Sequence, residues 1–433
     1  MTEGPNLSTK PRFPETFRAL RHRNYRLFFL GQFVSITGSW IQMPALALLV
    51  YEISGRQARW PAWIAAAQFL PTFLLGFWGG TLADRWPKRP LLFWTQTLLL
   101  LLPLGLMMLA VQEVRNPWLY AAVSATIGLV VTIDFPTRLS FINDLVGRDD
   151  LGNAVALNSL LFNSARLVGP MAGGLILIWA GPAACFWANS ASYLAVLFAL
   201  IHMNPAELHT APRAGHEPLP LLDGIRHLVG RPDLLALLLL AGLGALCGWP
   251  CLSLLPALAD RVLHLTGTGY FLMLSGVGLG ALCAALTQAR FGSLRRSPRF
   301  IGLGLALVIL GLLGLALVRE LPQALAGSTL LGFGLVTFFA TGQTAMQLGA
   351  GDRNRGQVMG VWAMVLSGAQ PLGNLLAGPA ADRWGVQQVL GGLGFIYAVA
   401  AGLTVLAFPA VIRQPAVAPA SPEEVSPNPQ DID

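Results

Sequence analysis

Three charged residues stand where charge is costly. Asp134 and Arg138 are four positions apart inside one apolar stretch, and Arg166 sits in the middle of the next. On a helix, the first two share a face. Asp134 lies about 8 residues from one end of its stretch and Arg166 about 12 from the same side, so at ~1.5 Å per residue their depths differ by roughly 6 Å. An arginine side chain covers that distance. A charge inside a bilayer costs several kcal/mol unless it is paired, so Asp134 is expected to pair with Arg138, Arg166 or both. Two chemistries suit such a group. The carboxylate could bind and release a driving proton while arginine competes for it. Alternatively, the pair could be a permanent clamp between two helices. An arginine partner lowers an acid's pKa, which opposes proton uptake unless the pair opens during a cycle.

Other chemistries lack their residues. There is no Gly-x4-Gly-Lys nucleotide loop, no catalytic triad and no metal-ligand cluster, so neither an enzyme nor direct ATP drive is expected, and no metal or cofactor. Cys185, Cys247, Cys251 and Cys283 all lie in apolar segments without a histidine at ligand spacing. Cys247 and Cys251 share a helix face, as small packing residues do.

These residues need a membrane around them. Hydrophobic residues make up 54% of the 433 and charged residues 11%, against about a quarter charged in soluble domains. Leu91 to Val111 and Ile301 to Val318 carry no charge at all. Runs of this length match the ~30 Å apolar layer of a bilayer. A soluble enzyme, a disulfide scaffold and a disordered chain are excluded. The net charge of +7 is read as cytoplasmic loop charge rather than as a nucleic-acid surface.

Twelve spans are expected, at 25–51, 61–83, 90–111, 117–142, 154–180, 183–203, 234–259, 268–290, 300–318, 322–347, 356–380 and 386–411. No alternating barrel pattern occurs, so they are helices. The stretch from Tyr25 is too long for a signal-peptide core and is taken as a retained span. The longest polar connection, 204–233, divides the spans six and six. The expected organisation is therefore an arm at 1–24, bundles at 25–203 and 234–411, a linker at 204–233 and a Pro-rich disordered tail at 412–433. With the N-terminus placed in the cytoplasm, 20 basic residues fall on that side, 6 on the other and 2 within spans. That bias predicts a multi-pass inner-membrane protein with both termini cytoplasmic. The halves also look related, because a shift of 204 aligns Gly169 with Gly373 and Gly174 with Gly378. Weak symmetry of this kind is a transporter signature.

The loop after the second span reads Gly79-Gly80-Thr-Leu-Ala-Asp84-Arg85-Trp-Pro-Lys88-Arg89. It resembles the span 2–3 loop of the major facilitator superfamily: a glycine, an aspartate four on, then basic residues. Pro87 stands where the family usually has glycine. Gly80 is expected to let helices approach closely. Asp84 needs a positive partner, such as the start of span 11 near Gly356. Arg85, Lys88 and Arg89 can reach lipid phosphates or loop acids. The resemblance implies a latch between halves, closed in one conformation and broken in the other; a basic loop that only sets topology is the plainer possibility. Gly169-Pro170-x-x-Gly173-Gly174 resembles the span 5 motif of the superfamily's exporters, where glycines allow close packing and proline bends the helix. Packing alone would use the same residues.

A closer resemblance, to the branch containing enterobactin exporters and macrolide efflux proteins, covers residues 17 to about 410. It is carried by Asn24, Gly38-Ser-Trp40-Ile-Gln42, Asp134-Phe-Pro136-Thr-Arg138, Arg166, Arg355-Gly356 and Gly378-Pro-Ala-Ala-Asp382. Ser39 replaces the Thr or Asp of many members, so no acid is expected in span 1. The resemblance implies an all-α membrane protein of two pseudo-symmetric six-helix bundles, with spans 1, 4, 7 and 10 lining a cavity. Gln32, Gln42, Trp249, Thr341 and Gln343 are then candidate substrate contacts, or else helix–helix hydrogen bonds. The expected function is proton-coupled export of small amphipathic molecules, drugs or siderophores, by a monomer that alternates access. Its partners are substrate, protons and membrane lipids, not nucleic acid. An importer of a small metabolite, and a non-transport lipid handler or sensor, are the alternatives.

Overall fold

The computed structural model describes residues 15–209, 221–265, 267–290 and 298–409. The tail at 412–433, part of the linker and most of the arm lie outside them. A 3-10 helix, Glu15–Arg21, leads into α1 (Arg23–Ile53), α2 (Arg59–Arg85), α3 (Lys88–Val111) and α4 (Pro117–His202). Then come α5 (Leu221–Val229), α6 (Pro232–Gly248), α7 (Pro250–Arg261), α8 (Gly267–Arg290), α9 (Pro298–Ala316), α10 (Leu321–Gly349), α11 (Gly351–Trp384) and α12 (Val386–Ala407). No strand occurs among the described residues. Among the described residues eight helical stretches, with α6 and α7 counted as one, are long and apolar enough to cross a membrane.

The 86 residues of α4 cannot be one crossing, since a span needs about 20. It breaks at Gly147 and Gly181, with φ of 70° and 77°, a left-handed backbone that glycine adopts without a Cβ clash. The three pieces, 117–146, 148–180 and 182–202, hold the fourth, fifth and sixth expected spans. Helices α6 and α7 meet at Trp249–Pro250 and together hold the seventh. The 204–233 connection, expected to be a polar linker, contains the helix α5, which packs on α11 and α6.

Helices α1 to α4 pack on one another, as do α6 to α12. Two seams join these halves: α2 lies along α11, and α4 lies along α8. Large apolar side chains cover the outside, with Trp179 86% and Leu406 81% exposed. Such a surface suits lipid rather than water. Polar side chains lie inside instead, including Gln32, Gln96, Asp134 and Asn189.

The expected close approach at Gly80 is displaced by one residue. A Cβ at Gly80 would meet nothing, whereas one at Gly79 would run into the Thr132 carbonyl of α4. Gly79 therefore faces the neighbouring helix, and Gly80 is turned away by one helical step of about 100°.

Candidate functional site

Asp134 is buried in the first piece of α4. Its Oδ1 accepts hydrogen bonds from Thr95 Oγ1 at 2.7 Å and Gln96 Nε2 at 2.8 Å, both on α3. Arg138 Nη2 is 3.9 Å from Oδ2, the outer limit of an ion pair. Arg138 has other support: Nη1 donates to Gln32 Oε1 on α1 at 2.8 Å, and the guanidinium lies 5.5 Å and 5.7 Å from the rings of Phe162 and Phe135. Of the two expected partners of Asp134, the structure supplies Arg138 only. Arg166 points elsewhere, between the rings of Trp40 at 5.2 Å and Trp249 at 5.7 Å. Depth alone permitted both pairs; helix rotation decides between them.

Two of the donors around Asp134 can reverse. The single proton of Thr95 has two acceptors, Asp134 Oδ1 and the Leu92 carbonyl at 3.1 Å. The Gln96 amide presents its nitrogen to Asp134, while its oxygen is buried without a partner. A hydroxyl rotation and an amide flip would turn both groups into acceptors for a protonated acid. Thr95 and Gln96 escaped notice because Thr and Gln in a span are unremarkable singly. Their adjacency on the helix before a buried acid was the available signal.

The remaining cavity candidates separate. Gln42 accepts a 2.7 Å hydrogen bond from Asn189 inside the first half. Thr341 is buried and its hydroxyl has no partner; Gln343 is exposed. Trp249 stacks on Phe339 of α10, ring centres 6.2 Å apart, and so faces Arg166 across the two halves.

Two of the three span 5 glycines line the second seam. Gly169 packs on Trp40 of α1, and Gly173 and Gly174 pack on Phe271 of α8. Their counterparts under the 204-residue shift make equivalent contacts, since Gly373 meets Leu246 and Pro250, and Gly378 meets Arg59 on α2. Pro170 is buried.

The halves are tied at the end remote from the chain termini. Asp382, near the end of α11, accepts from the backbone N–H groups of Ala58 at 2.7 Å and Arg59 at 3.1 Å. It thus caps α2, whose own Ala58 cannot. Arg261 reaches both Asp382 at 3.0 Å and the Arg56 carbonyl at 2.5 Å. Asp260 accepts from Tyr51 at 2.9 Å and lies 3.3 Å from Arg56. The sequence signal for this tie was a repeat: Gly80-x-x-x-Asp84-Arg85-Trp86 at the end of α2 and Gly378-x-x-x-Asp382-Arg383-Trp384 at the end of α11.

At the termini end, Lys88 pairs with Asp144 at 2.9 Å, and Arg89 donates to the last carbonyls of α4, Leu200 at 2.9 Å and Ile201 at 3.3 Å. Arg85 is exposed, and the Asp84 side chain lies outside the described residues. Asp150 gathers Arg18 at 2.5 Å, His22 at 2.7 Å and Arg21 at 2.9 Å, pinning the first turns to α4. Burial favours the neutral acid, but the His22 and Arg18 hydrogen bonds and the Arg21 and Arg18 charges outweigh it and hold the carboxyl below its usual range. A depressed folded pKa means the contribution is complete above the unfolded value and fades as pH falls through the folded one. The arginines are half exposed, so the gain is screened to about 1 kcal/mol. Hydrogen exchange of residues 15–22, corrected for intrinsic rates, should therefore stay slow until pH drops below about 4. In D150N it should be several-fold faster already at neutral pH; equal exchange in both proteins would refute the pin.

Among the described residues no group of three His, Cys, Asp or Glu could hold a metal ion. Cys185, Cys247 and Cys251 are buried and Cys283 exposed, none in a disulfide.

A family model described as "Transmembrane secretion effector" matches residues 15–427. The chain is 25% identical to the staphyloferrin A transporter of Staphylococcus aureus over 376 residues, 85% of this chain and 92% of that one. It is 26% identical to the enterobactin exporter EntS of Shigella flexneri over 347 residues, 79% of this chain and 81% of that one. In fold it is similar to a bacterial homologue of the human lysosomal transporter Spinster in an inward-facing, unoccupied conformation. There the TM-score is 0.71 at 14% identity, covering 92% of this chain and 99% of that one. The nucleoside transporter NupG gives 0.67 at 13% identity, covering 89% and 99%.

Proposed function

The chain belongs to the transmembrane secretion effector family of the major facilitator superfamily, a multi-pass inner-membrane transporter and not an enzyme, and from that premise we propose that it exports small amphipathic molecules of the siderophore kind in exchange for protons. The observation that carries this reading is the tie of α2 to α11 at one end of the two halves. A seam fastened at one end by a helix cap and ion pairs can open there and close at the other, which is alternating access by rocking of two bundles. The Gly-x-x-x-Asp-Arg-Trp repeat supplies the reciprocal part. Asp382 at the end of α11 caps α2, and Asp84 at the end of α2 is placed in sequence to do the same for α11 at the opposite end. The latch of Gly80, Asp84, Arg85, Lys88 and Arg89 is then fastened when the Asp382 tie is broken. On this reading the structure is the state open toward the termini, taken as the cytoplasmic side.

Asp134 is the proton site. Its carboxylate keeps two reversible neutral donors, and Arg138 keeps Gln32 and two aromatic faces, so each can be held without the other. Protonation releases Arg138 without leaving it stranded. The substrate class follows from the relatives, two of which are named for staphyloferrin A and enterobactin.

The test is secretion by an Escherichia coli strain lacking its enterobactin exporter. Expression of this protein should restore release of enterobactin or of another member of a panel of amphipathic compounds, and a protonophore should stop it. Equal retention with and without the protein across the panel would sink export; release that survives the protonophore would sink the coupling alone.

A further inference from the structure

Arg166 is a cation without an anion. It lies in the middle of the second piece of α4, its backbone carbonyl against α8, where a Cβ at Gly278 would come within 2.6 Å. Its guanidinium rests between Trp40, from the first half, and Trp249, from the second, and Trp249 is backed by Phe339. Among the described residues no carboxylate lies within ion-pair distance, and Nε is buried without a hydrogen-bond partner. The residue nevertheless stays partly exposed, beside rings that come from both halves.

Charge balance in this layer is uneven. Asp134 is committed to Thr95, Gln96 and Arg138. Two arginines thus share one acid at a depth where an uncompensated charge costs several kcal/mol. Two aromatic faces recover part of that, but they leave the guanidinium's donors unused. A guanidinium fork matches a planar, two-oxygen anion. One unbalanced positive charge fits one carboxylate better than a doubly charged phosphate.

We propose that Arg166, clasped between Trp40 and Trp249, binds a carboxylate of the transported molecule, with the indole rings and Phe339 taking its apolar body. This rests on the transporter reading above and narrows it to anionic amphipathic cargo. Because the two rings belong to different halves, rocking parts the clasp and weakens the grip, so the cargo is held in one state and released in the other.

The experiment uses the full-length protein in lipid nanodiscs, titrated with dansylglycine and with its neutral carboxamide. Wild type is expected to bind the carboxylate about tenfold more tightly, the size of one charge-assisted hydrogen-bonded contact. R166Q should lose that preference while binding the carboxamide as before, and R166K should keep part of it. Should R166Q fail to fold, R166M replaces it. Equal binding of both probes by wild type overturns the inference without any variant, as does a preference that survives in the neutral variants. So does displacement of the probe by millimolar chloride, which would make the site a counter-ion seat. Carboxylate preference without cellular export would spare this site and sink the export reading; export of neutral compounds alone would do the reverse.

Discussion

D382A is expected to open the end of the molecule remote from the termini and to cut transport by about tenfold or more, with membrane abundance nearly unchanged. The carboxylate has three jobs there: it caps two backbone N–H groups of α2, and it accepts from Arg261. A lost cap is worth about 1 kcal/mol. The ion pair adds less than its geometry suggests, because Arg261 and Asp382 are 34% and 21% exposed and therefore screened. Together they make about 1–3 kcal/mol of bias between the two states, enough to shift their ratio 5- to 150-fold. Neither half loses its own core, so folding should survive. Spin labels at Ser54 and His264, in a background with the exposed Cys283 changed to Ser, would read the separation directly. D382A should lengthen it, and D382N should do so less, since asparagine retains one capping oxygen. An unchanged separation in D382A would mean that packing along α2 and α11, not this carboxylate, holds the end shut.

What the residues disclosed in advance depended on whether one coordinate or two were needed. The spans were legible because a bilayer sets a single requirement, length of apolar run, and α3, α8, α10 and α12 begin and end within a few residues of the expected limits. The depth of Asp134 and Arg166 was legible for the same reason. Rotation about the helix axis was not, and it decides contacts. It moved the close approach from Gly80 to Gly79, took Arg166 away from Asp134, and turned Gln42 toward Asn189. The α5 helix was missed because prolines at 212, 218 and 220 argued for a loop, and its apolar face is satisfied by α11 and α6 rather than by lipid. The Asp382 tie needed a third kind of information, which helix ends meet across the halves, and only the internal repeat carried a trace of it.

D134N is expected to abolish gradient-driven transport while leaving folded protein and substrate binding in place. Asparagine offers a similar shape to Thr95 and Gln96 but cannot titrate. The competing outcome is large and distinct. If the carboxylate were a static clamp, its loss would strand Arg138 and cost about 3–5 kcal/mol, with loss of folded protein. The 3.9 Å separation from Arg138 and the alternative supports of that arginine favour the first outcome. T95V tests the reversible donor separately. Valine keeps the shape but can neither donate to the carboxylate nor accept from the acid, so both protonation states lose a hydrogen bond. Gradient-driven exchange should then fall while folded protein and substrate binding stay in place; unchanged exchange would mean that Thr95 takes no part in the proton step. The double variant D134N/R138Q removes both charges and so removes the clamp argument altogether. Stable protein that binds substrate without coupling would keep the proton at Asp134. Recovery of proton-coupled transport in that double variant would end the assignment, because no titrating group would remain at this site.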